Sequence, residues 1–422
     1  MLQSLLGNAS LLLGGKAANA VFSLGYLALA ARGLSLDSFG VLILIHTYTQ
    51  AIGEISKFQS WQDGRLADFR KVLHFTVRLD ILGAMAALTI AMLGIPLAAH
   101  FFGWQQETAS YARYYVLSVI LLEVGTATGV MRLFDRFDLV APQSSLSSLI
   151  RLIGAAIAYY QGAGLDAYLL VWGLANVLPQ LVLILICLRE LRRHGVLAAP
   201  SATGPESSSV WSADRKVWRF VWSTNLNSSL QLTFSHFGTL AVGALLGAGS
   251  AALYRVARQL SEALTAPVKL LTPSIYPELA RLSARKAIAE MRRFILRASL
   301  LAGVVASLMV AILIFAGPLL LNLIAGPKLT AAYGVMCVLG AAAALRLSAF
   351  PLEPMLISSG LAGSALRIRI GSTLAYLVLL FLLCPLLGLV GAGIALLLAT
   401  LVNLAGQVFV TEKLLRTNAP AA

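Results

Sequence analysis

The chain has 422 residues, 59% of them hydrophobic and 12% charged, with a formal net charge of +14. Soluble domains average about 45–50% apolar and about 25% charged residues, so a soluble fold, which would have to hide this much apolar surface in one core, is excluded. The basic excess raises a nucleic-acid reading, but the position of the Lys and Arg residues decides against it, because they fall where short cytoplasmic loops of a membrane protein carry them.

A spanning helix needs about 20 mostly apolar residues. Taken in chain order, twelve segments meet this: roughly 8–31, 37–57, 75–98, 109–131, 143–161, 167–188, 219–246, 250–274, 294–317, 331–356, 368–386 and 391–411. The first opens MLQSLLGNASLLLGGK, which has no basic n-region and no A-x-A site, and so reads as a spanning helix rather than a cleavable signal. Lys16, Asn19 and Ser23 lie on one of its sides. Turn chemistry at Gly33–Asp37 ends it. Glu54 closes the second segment and Glu123 sits within the fourth. Between the third and fourth is the longest external loop, AHFFGWQQETA, where His100 and Trp104, with Tyr111 just beyond, read as interface anchors. The short fifth segment carries Arg151 at its middle, and Gln161–Asp166 separates it from the sixth.

The stretch 189–218, RELRRHGVLAAPSATGPESSSVWSADRKVW, has Pro, Gly and Ser at its centre and basic clusters at both ends. It divides the chain into a lobe at 1–188, a cytoplasmic linker at 189–218 and a lobe at 219–422. Six spanning helices fall in each lobe, a plan expected of transporter-type repeats visible as topology rather than as residue identity.

The second lobe opens with FVWSTNLNSSLQLTFSHFGTLAVGALLG, an unusually polar segment. At about 100° per residue, Asn225, Ser229 and His236 share a narrow face, with Ser228 beside it. Such residues serve as interhelical glue or line water, and the density of this run favours water. For His236 a hydrogen-bonded structural role is the favoured reading, with carriage of a coupling proton, which its near-neutral unperturbed pKa would allow, as the alternative. The eighth segment places Arg255, Arg258, Glu262 and Lys269 within about a 60° arc. Snorkelling accounts for Arg255 and Lys269 at the ends, and an i, i+4 pair accounts for Arg258 and Glu262; neither accounts for the shared face, which is expected to line a cavity. In the tenth segment Arg346 lies too deep to snorkel, and Glu353 follows near the end. The last two segments are separated by a turn at Pro385–Gly391.

With the N-terminus inside, the expected cytoplasmic loops and helix ends hold twenty-three of the 32 Lys and Arg, the external loops three (Arg32, Arg113, Lys328), and the spans six. That alternation places both termini in the cytoplasm. Cys187, Cys337 and Cys384 are scattered through apolar segments with no ligand or disulfide spacing. No P-loop, HExxH, CxxC or GxSxG is present; neither cofactor nor metal is expected, and the chain does not read as an enzyme. Six intramembrane cations against four carboxylates leave a positive interior, which suits an anionic substrate such as a phosphate or carboxylate.

Three stretches carry a family resemblance: ARGLSLDSFGVLIL after the first helix, FAGPLLLNLIAGPKLTAAYGVMCVLGAAAAL between the ninth and tenth, and YRVARQLSEALTAPVKLLTPSIYPELARL, with Tyr254, Ala257, Gln259, Leu260, Pro267, Pro273, Tyr276 and Pro277 at the matching positions. The chain resembles the Wzx-type lipid-linked oligosaccharide flippases of the multidrug/oligosaccharidyl-lipid/polysaccharide exporter superfamily. The resemblance implies an all-α polytopic fold of about twelve spans in two pseudo-symmetric six-helix lobes, MATE-like, in the bacterial inner membrane. It implies a monomer that moves an undecaprenyl-pyrophosphate-linked sugar repeat to the periplasmic leaflet by ion-coupled alternating access. A polysaccharide polymerase and co-polymerase are possible partners besides membrane lipid. The expected substrate-binding cations are Lys16, Arg255, Arg258, Lys269, Arg346 and Arg151; Asn225, Ser229 and His236 form the polar face, with Gln231 on another side, and Glu262 and Glu123 are the coupling candidates. Three alternatives stay open: a drug or metabolite antiporter of the same superfamily, whose cavity should be richer in carboxylates and aromatics; a membrane polymerase or ligase, which needs a larger external loop than any here; and a scaffolding subunit of an export complex, against which the intramembrane charges argue. A lipid-linked murein precursor flippase would resemble the chain too, but is expected to add two helices.

Overall fold

A computed structural model describes residues 2–56, 66–120, 125–134, 136–140, 142–194, 236–263, 288–359 and 361–417, with single residues 196, 279, 281, 282 and 285 besides. Among these, every regular element is helical. In chain order they are α1 (Leu2–Gly33), α2 (Leu36–Ser56), α3 (Leu66–Phe102), α4 (Gln106–Ile120), α5 (Gly125–Leu133), α6 (Phe137–Val140), α7 (Pro142–Tyr160) and α8 (Leu165–Arg193). Then come α9 (His236–Leu246), α10 (Ala248–Ala263), α11 (Ile288–Ala325), a 3-10 turn at Gly326–Ala332, α12 (Tyr333–Ser348), α13 (Leu352–Ser358) and α14 (Ala362–Thr417). They form two compact units, residues 1–240 and 241–422. Of the expected linker, 189–193 continues α8, and 197–218 lies outside the described residues.

Five stretches are long and apolar enough to cross a membrane by themselves: Thr76–Phe102, Leu165–Arg193, Ala289–Leu323, Gly326–Ser358 and Gly363–Leu414. Their packing is that of helices in lipid. On α3 the buried side holds Ala84, Ala87, Ala91 and Ala98, while Ile81, Met85, Leu93 and Phe101 are exposed. Small residues inward let helix backbones approach, and large ones outward meet acyl chains, which solvate them as well as a core would. α11 repeats the scheme, with Ala302 and Ala306 inward and Leu300, Val304, Leu308 and Phe315 outward. Cys187 and Cys384 are buried and free, in keeping with a packing role.

Several junctions follow from local chemistry. Between α1 and α2 the Ser38 N–H donates to Ser35 Oγ at 3.1 Å, a serine cap on the orphan donors of a helix start. The segment expected at 331–356 is divided at Ala349–Pro351 into α12 and α13, because Pro351 lacks the N–H a continuing helix would use and its ring restricts Phe350. The turn expected at Pro385–Gly391 is present as a break within α14: Gly388 has φ 60° and ψ −142°, a conformation open essentially to glycine. The chain reverses there, since Asn403 Nδ2 donates to Ser372 Oγ at 2.9 Å and a Cβ on Gly406 would meet Ile368. α14 is therefore a hairpin of two helices.

The first unit is held by polar ties between α1 and α7. Ser145 Oγ donates to the Gly15 carbonyl at 2.7 Å, Ser23 and Ser148 hydroxyls are 3.2 Å apart, and Ser148 also bonds Asn19. The polar side of α1 at Asn19 and Ser23 is thus engaged with a neighbouring helix. At the end of α8, Glu190 is buried and accepts from Arg136 and Arg193, each at 3.3 Å. Asp138 is half exposed, and the Arg136 guanidinium beside it holds its carboxyl below the usual carboxylate range. A depressed pKa adds stability above the unfolded value and loses it as pH falls through the folded one, but exposure makes this pair weak.

Two outcomes are expected of thermal unfolding in detergent. Gly388→Ala, which forces an L-residue into the hairpin break, costs about 1–3 kcal/mol. Glu190→Gln costs about 1–3 kcal/mol by leaving Arg136 and Arg193 without their shared acceptor charge, whereas Asp138→Asn stays within about 0.5 kcal/mol.

Candidate functional site

In the second unit, α10 is buried over most of its length, including Ala251, Ala252, Tyr254, Ala257 and Ser261. Small side chains let it lie close against α12, where Ser261 Oγ donates to the Ala257 carbonyl at 2.8 Å or the Met336 carbonyl at 3.1 Å. A hydroxyl that can bridge its own helix and the next fixes the rotation of α10, and with it the direction of the charged face.

Arg258 is 7% exposed. Its Nε donates to Glu262 Oε1 at 3.0 Å, while the Glu262 side chain remains 35% exposed. Arginine stays protonated at any accessible pH, so a buried one requires a counter-charge, and one turn of helix supplies it. Tyr254 and Tyr376 are both buried, with hydroxyls 3.3 Å apart, and both stand in electrostatic range of Arg258. Arg346, in the last turn of α12, is exposed and stands in range of Glu262, Arg258, Tyr254 and Tyr376. An exposed guanidinium in an apolar helix is stable beside water, headgroups or an anion, not beside hydrocarbon. Among the described residues the cluster counts two arginines against one carboxylate, Glu262, with Arg255 half-buried a turn earlier.

Arg151 stands apart, in the first unit. Its Nη2 donates to Asn176 Oδ1 at 2.5 Å and its Nη1 to Tyr26 Oη at 3.4 Å, while its guanidinium carbon lies 5.5 Å from the Tyr26 ring centre and 5.4 Å from that of Trp172. The structure therefore brings together Arg258, Glu262 and Arg346, with Arg255 on the same helix, and gives Arg151 a setting of its own. His236 is half-buried at the start of α9. Lys269, Asn225, Ser229, Gln231 and Glu123 lie outside the described residues; Lys16 is on α1, its side chain outside them. Glu353 is bonded by Arg369 Nη2 at 2.5 and 2.6 Å, which ties α13 to α14. Among the described residues no group of three His, Cys, Asp or Glu is gathered as for a metal.

Two features go beyond the expected residues. Asp80 is 4% exposed and accepts from the Thr126 N–H at 2.8 Å and the Thr126 hydroxyl at 2.5 Å, a carboxylate from α3 capping α5. A lone carboxylate between Leu79 and Ile81 in an apolar run was a readable signal. His46, Tyr115 and Asn176 form a chain reaching Arg151 from three helices, and only their polarity, not their meeting, is visible in sequence.

The fold is one of transporters and flippases. A multidrug resistance MATE family transporter of the MOP superfamily, inward-facing, aligns over 96% of each chain with a TM-score of 0.67 and 14% identity. The lipid II flippase MurJ in its inward closed conformation aligns over 95% of this chain and 87% of its own, at 0.69 and 13%. A MOP superfamily transporter from Pyrococcus furiosus, described as having a binding pocket of reverse polarity, aligns over 98% and 94% at 0.54 and 14%. No family model matches the chain. The chain belongs to the family of the inner membrane protein YghQ of Escherichia coli (strain K12), to which it is 30% identical over 328 residues, 74% of this chain and 90% of that one. It is a multi-pass helical membrane protein with the MOP-superfamily fold.

Glu262→Gln is expected to destabilise the protein by about 3 kcal/mol, because Arg258 stays buried without its counter-charge. Arg258→Met with Glu262→Leu should recover most of that loss in the same unfolding measurement, since an apolar pair of similar volume needs no partner.

Proposed function

We propose that the chain moves an undecaprenyl-pyrophosphate-linked oligosaccharide repeat from the cytoplasmic to the periplasmic leaflet of the bacterial inner membrane, by ion-coupled alternating access, for surface polysaccharide assembly. The observation that carries this reading is the cluster of Arg258, Arg346 and Glu262 on α10 and α12, net positive among the described residues. A pyrophosphate matches paired guanidiniums in geometry and charge. It competes with Glu262 for Arg258, so that substrate and carboxylate hold the arginine in turn. Protonating Glu262 frees Arg258 for substrate, which links an ion gradient to binding. Arg255, and from the sequence Lys269 and Lys16, extend the positive field; Asn225, Ser229 and His236 supply hydrogen bonds for sugar hydroxyls. The polyprenyl chain stays in lipid. Supporting the assignment, the Tyr254–Pro277 stretch resembles that of the polysaccharide exporters, and one protein sharing the fold is a lipid II flippase. The protein works as a monomer, with a polymerase and co-polymerase downstream.

The test is complementation in a strain deleted for the gene, scoring surface polymer and the leaflet holding complete lipid-linked repeats. Repeats should accumulate on the cytoplasmic side in the deletion, and Arg346→Ala or Arg258→Ala, checked for membrane abundance, should cut flipping about tenfold or more, the worth of one charge-assisted hydrogen bond. Normal polymer in the deletion overturns the reading in favour of drug or metabolite export.

A further inference from the structure

Arg151 lies on α7 where small residues bring three helices together. A Cβ on Gly25 of α1 would meet Leu152, and one on Gly154 would meet Val171 of α8. That close approach lets Tyr26 and Trp172 reach the guanidinium, whose carbon is 5.5 and 5.4 Å from their ring centres. The two rings stand edge to face at 5.5 Å. With the Asn176 amide oxygen on Nη2, they fix the direction of the arginine.

Rings and dipoles orient a guanidinium but do not cancel its charge. Arg258 has Glu262 for that, whereas among the described residues no carboxylate bonds Arg151. Asp80 is engaged by Thr126, and Glu190 by Arg136 and Arg193. Two donors at the Arg151–Trp172 contact are also left over. Arg151 Nε is buried with no hydrogen-bond partner, and so is Nε1 of Trp172, a side chain 1% exposed. A buried N–H without an acceptor is costly. Two of them beside an uncompensated cation call for the same thing, an acceptor that carries negative charge.

We propose that Arg151 and Trp172 form a binding site for a singly charged anion in the first unit, held by the Arg151 Nε–H and the Trp172 indole N–H. An acceptor about 3 Å from each of two donors joins groups about 6 Å apart, which suits the 5.4 Å between guanidinium carbon and indole ring centre. Water meets the donors with its oxygen but brings two hydrogens of its own to a place already rich in donors. An anion brings none. One guanidinium balances one negative charge, and a second would stand uncompensated in apolar surroundings. A halide or a carboxylate therefore fits, and a dianion does not. The carboxylate is either free or carried by an acidic sugar of the lipid-linked repeat. That last source rests on the proposed function; the site itself does not.

The test needs no transport. Full-length protein with indole-¹⁵N tryptophan is observed by NMR in lipid nanodiscs, and Trp172→Phe assigns its signal among the six tryptophans. Chloride, acetate and glucuronate are titrated in turn, with sulfate keeping the ionic strength constant. The Trp172 indole signal should shift saturably with at least one of the three, and Arg151→Gln should weaken that binding about tenfold or more. Should Arg151→Gln not fold, Arg151→Lys keeps the charge, lacks the Nε–H and should still weaken binding several-fold. A response to chloride or acetate identifies a site for free anions, and a response to glucuronate alone identifies the acidic sugar. The proposal is overturned by no saturable shift with any of the three, the result expected if water alone meets the donors. It is equally overturned if sulfate titrated alone acts as strongly as chloride, or if the affinity ignores the Arg151 variants. A saturable shift in a protein whose deletion leaves surface polymer normal sinks the flippase reading alone.

Discussion

A guanidinium in a bilayer cannot escape by losing its proton, so each arginine placed within spanning helices dictates what must be built around it. The two units meet that demand with different chemistry. In the second, Arg258 is matched by a carboxylate one turn away. In the first, Arg151 is matched by an amide oxygen, a phenol and two aromatic faces. Small residues on the inward faces of the helices make both solutions possible. Close backbone approach, as where Ser261 reaches the Met336 carbonyl, lets side chains of ordinary length meet across helices.

The two solutions differ in what they permit. A carboxylate paired to an arginine can be displaced by another anion or neutralised by a proton, and on the proposed function the Arg258–Glu262 pair serves as the switch. An amide and a pair of rings cannot be neutralised, so the Arg151 setting is permanent. Arg346 belongs to neither pattern: it is exposed beside the Arg258–Glu262 pair and adds a positive charge to it.

Helix positions were largely legible in the sequence because length and apolarity are local properties. The break at Gly388 and the stop before Pro351 follow from residues whose backbone limits are intrinsic. The pairing of Arg258 with Glu262 was legible too, since i, i+4 neighbours on one helix must share a face. What was not legible is what long-range packing decides. Arg151, Asn176, Tyr115 and His46 come from four helices, and nothing in their spacing predicts a meeting. Likewise Asn19 and Ser23 share a face of α1, but only the packing of α7 on that face shows it to be occupied by Ser148. Glu353 reads in the sequence as an intramembrane charge, and only the packing of α14 on α13 shows Arg369 beside it.

The same distinction separates backbone path from ligand chemistry in these comparisons. The features that set the hairpin, the kinks and the close helix contacts are glycines, prolines and small residues, and they specify a backbone path without specifying a ligand. Solved structures at 13–14% identity therefore share the path over nearly the whole chain. The polarity of the interior rests on a handful of side chains, among them Arg258, Arg346, Glu262, Arg151 and His46. Each can be exchanged without moving a helix, provided its neighbours are exchanged with it, as the apolar replacement of the Arg258–Glu262 pair illustrates. On the proposed function it is therefore the net charge of those side chains among the described residues, not the arrangement of helices, that favours an anionic cargo.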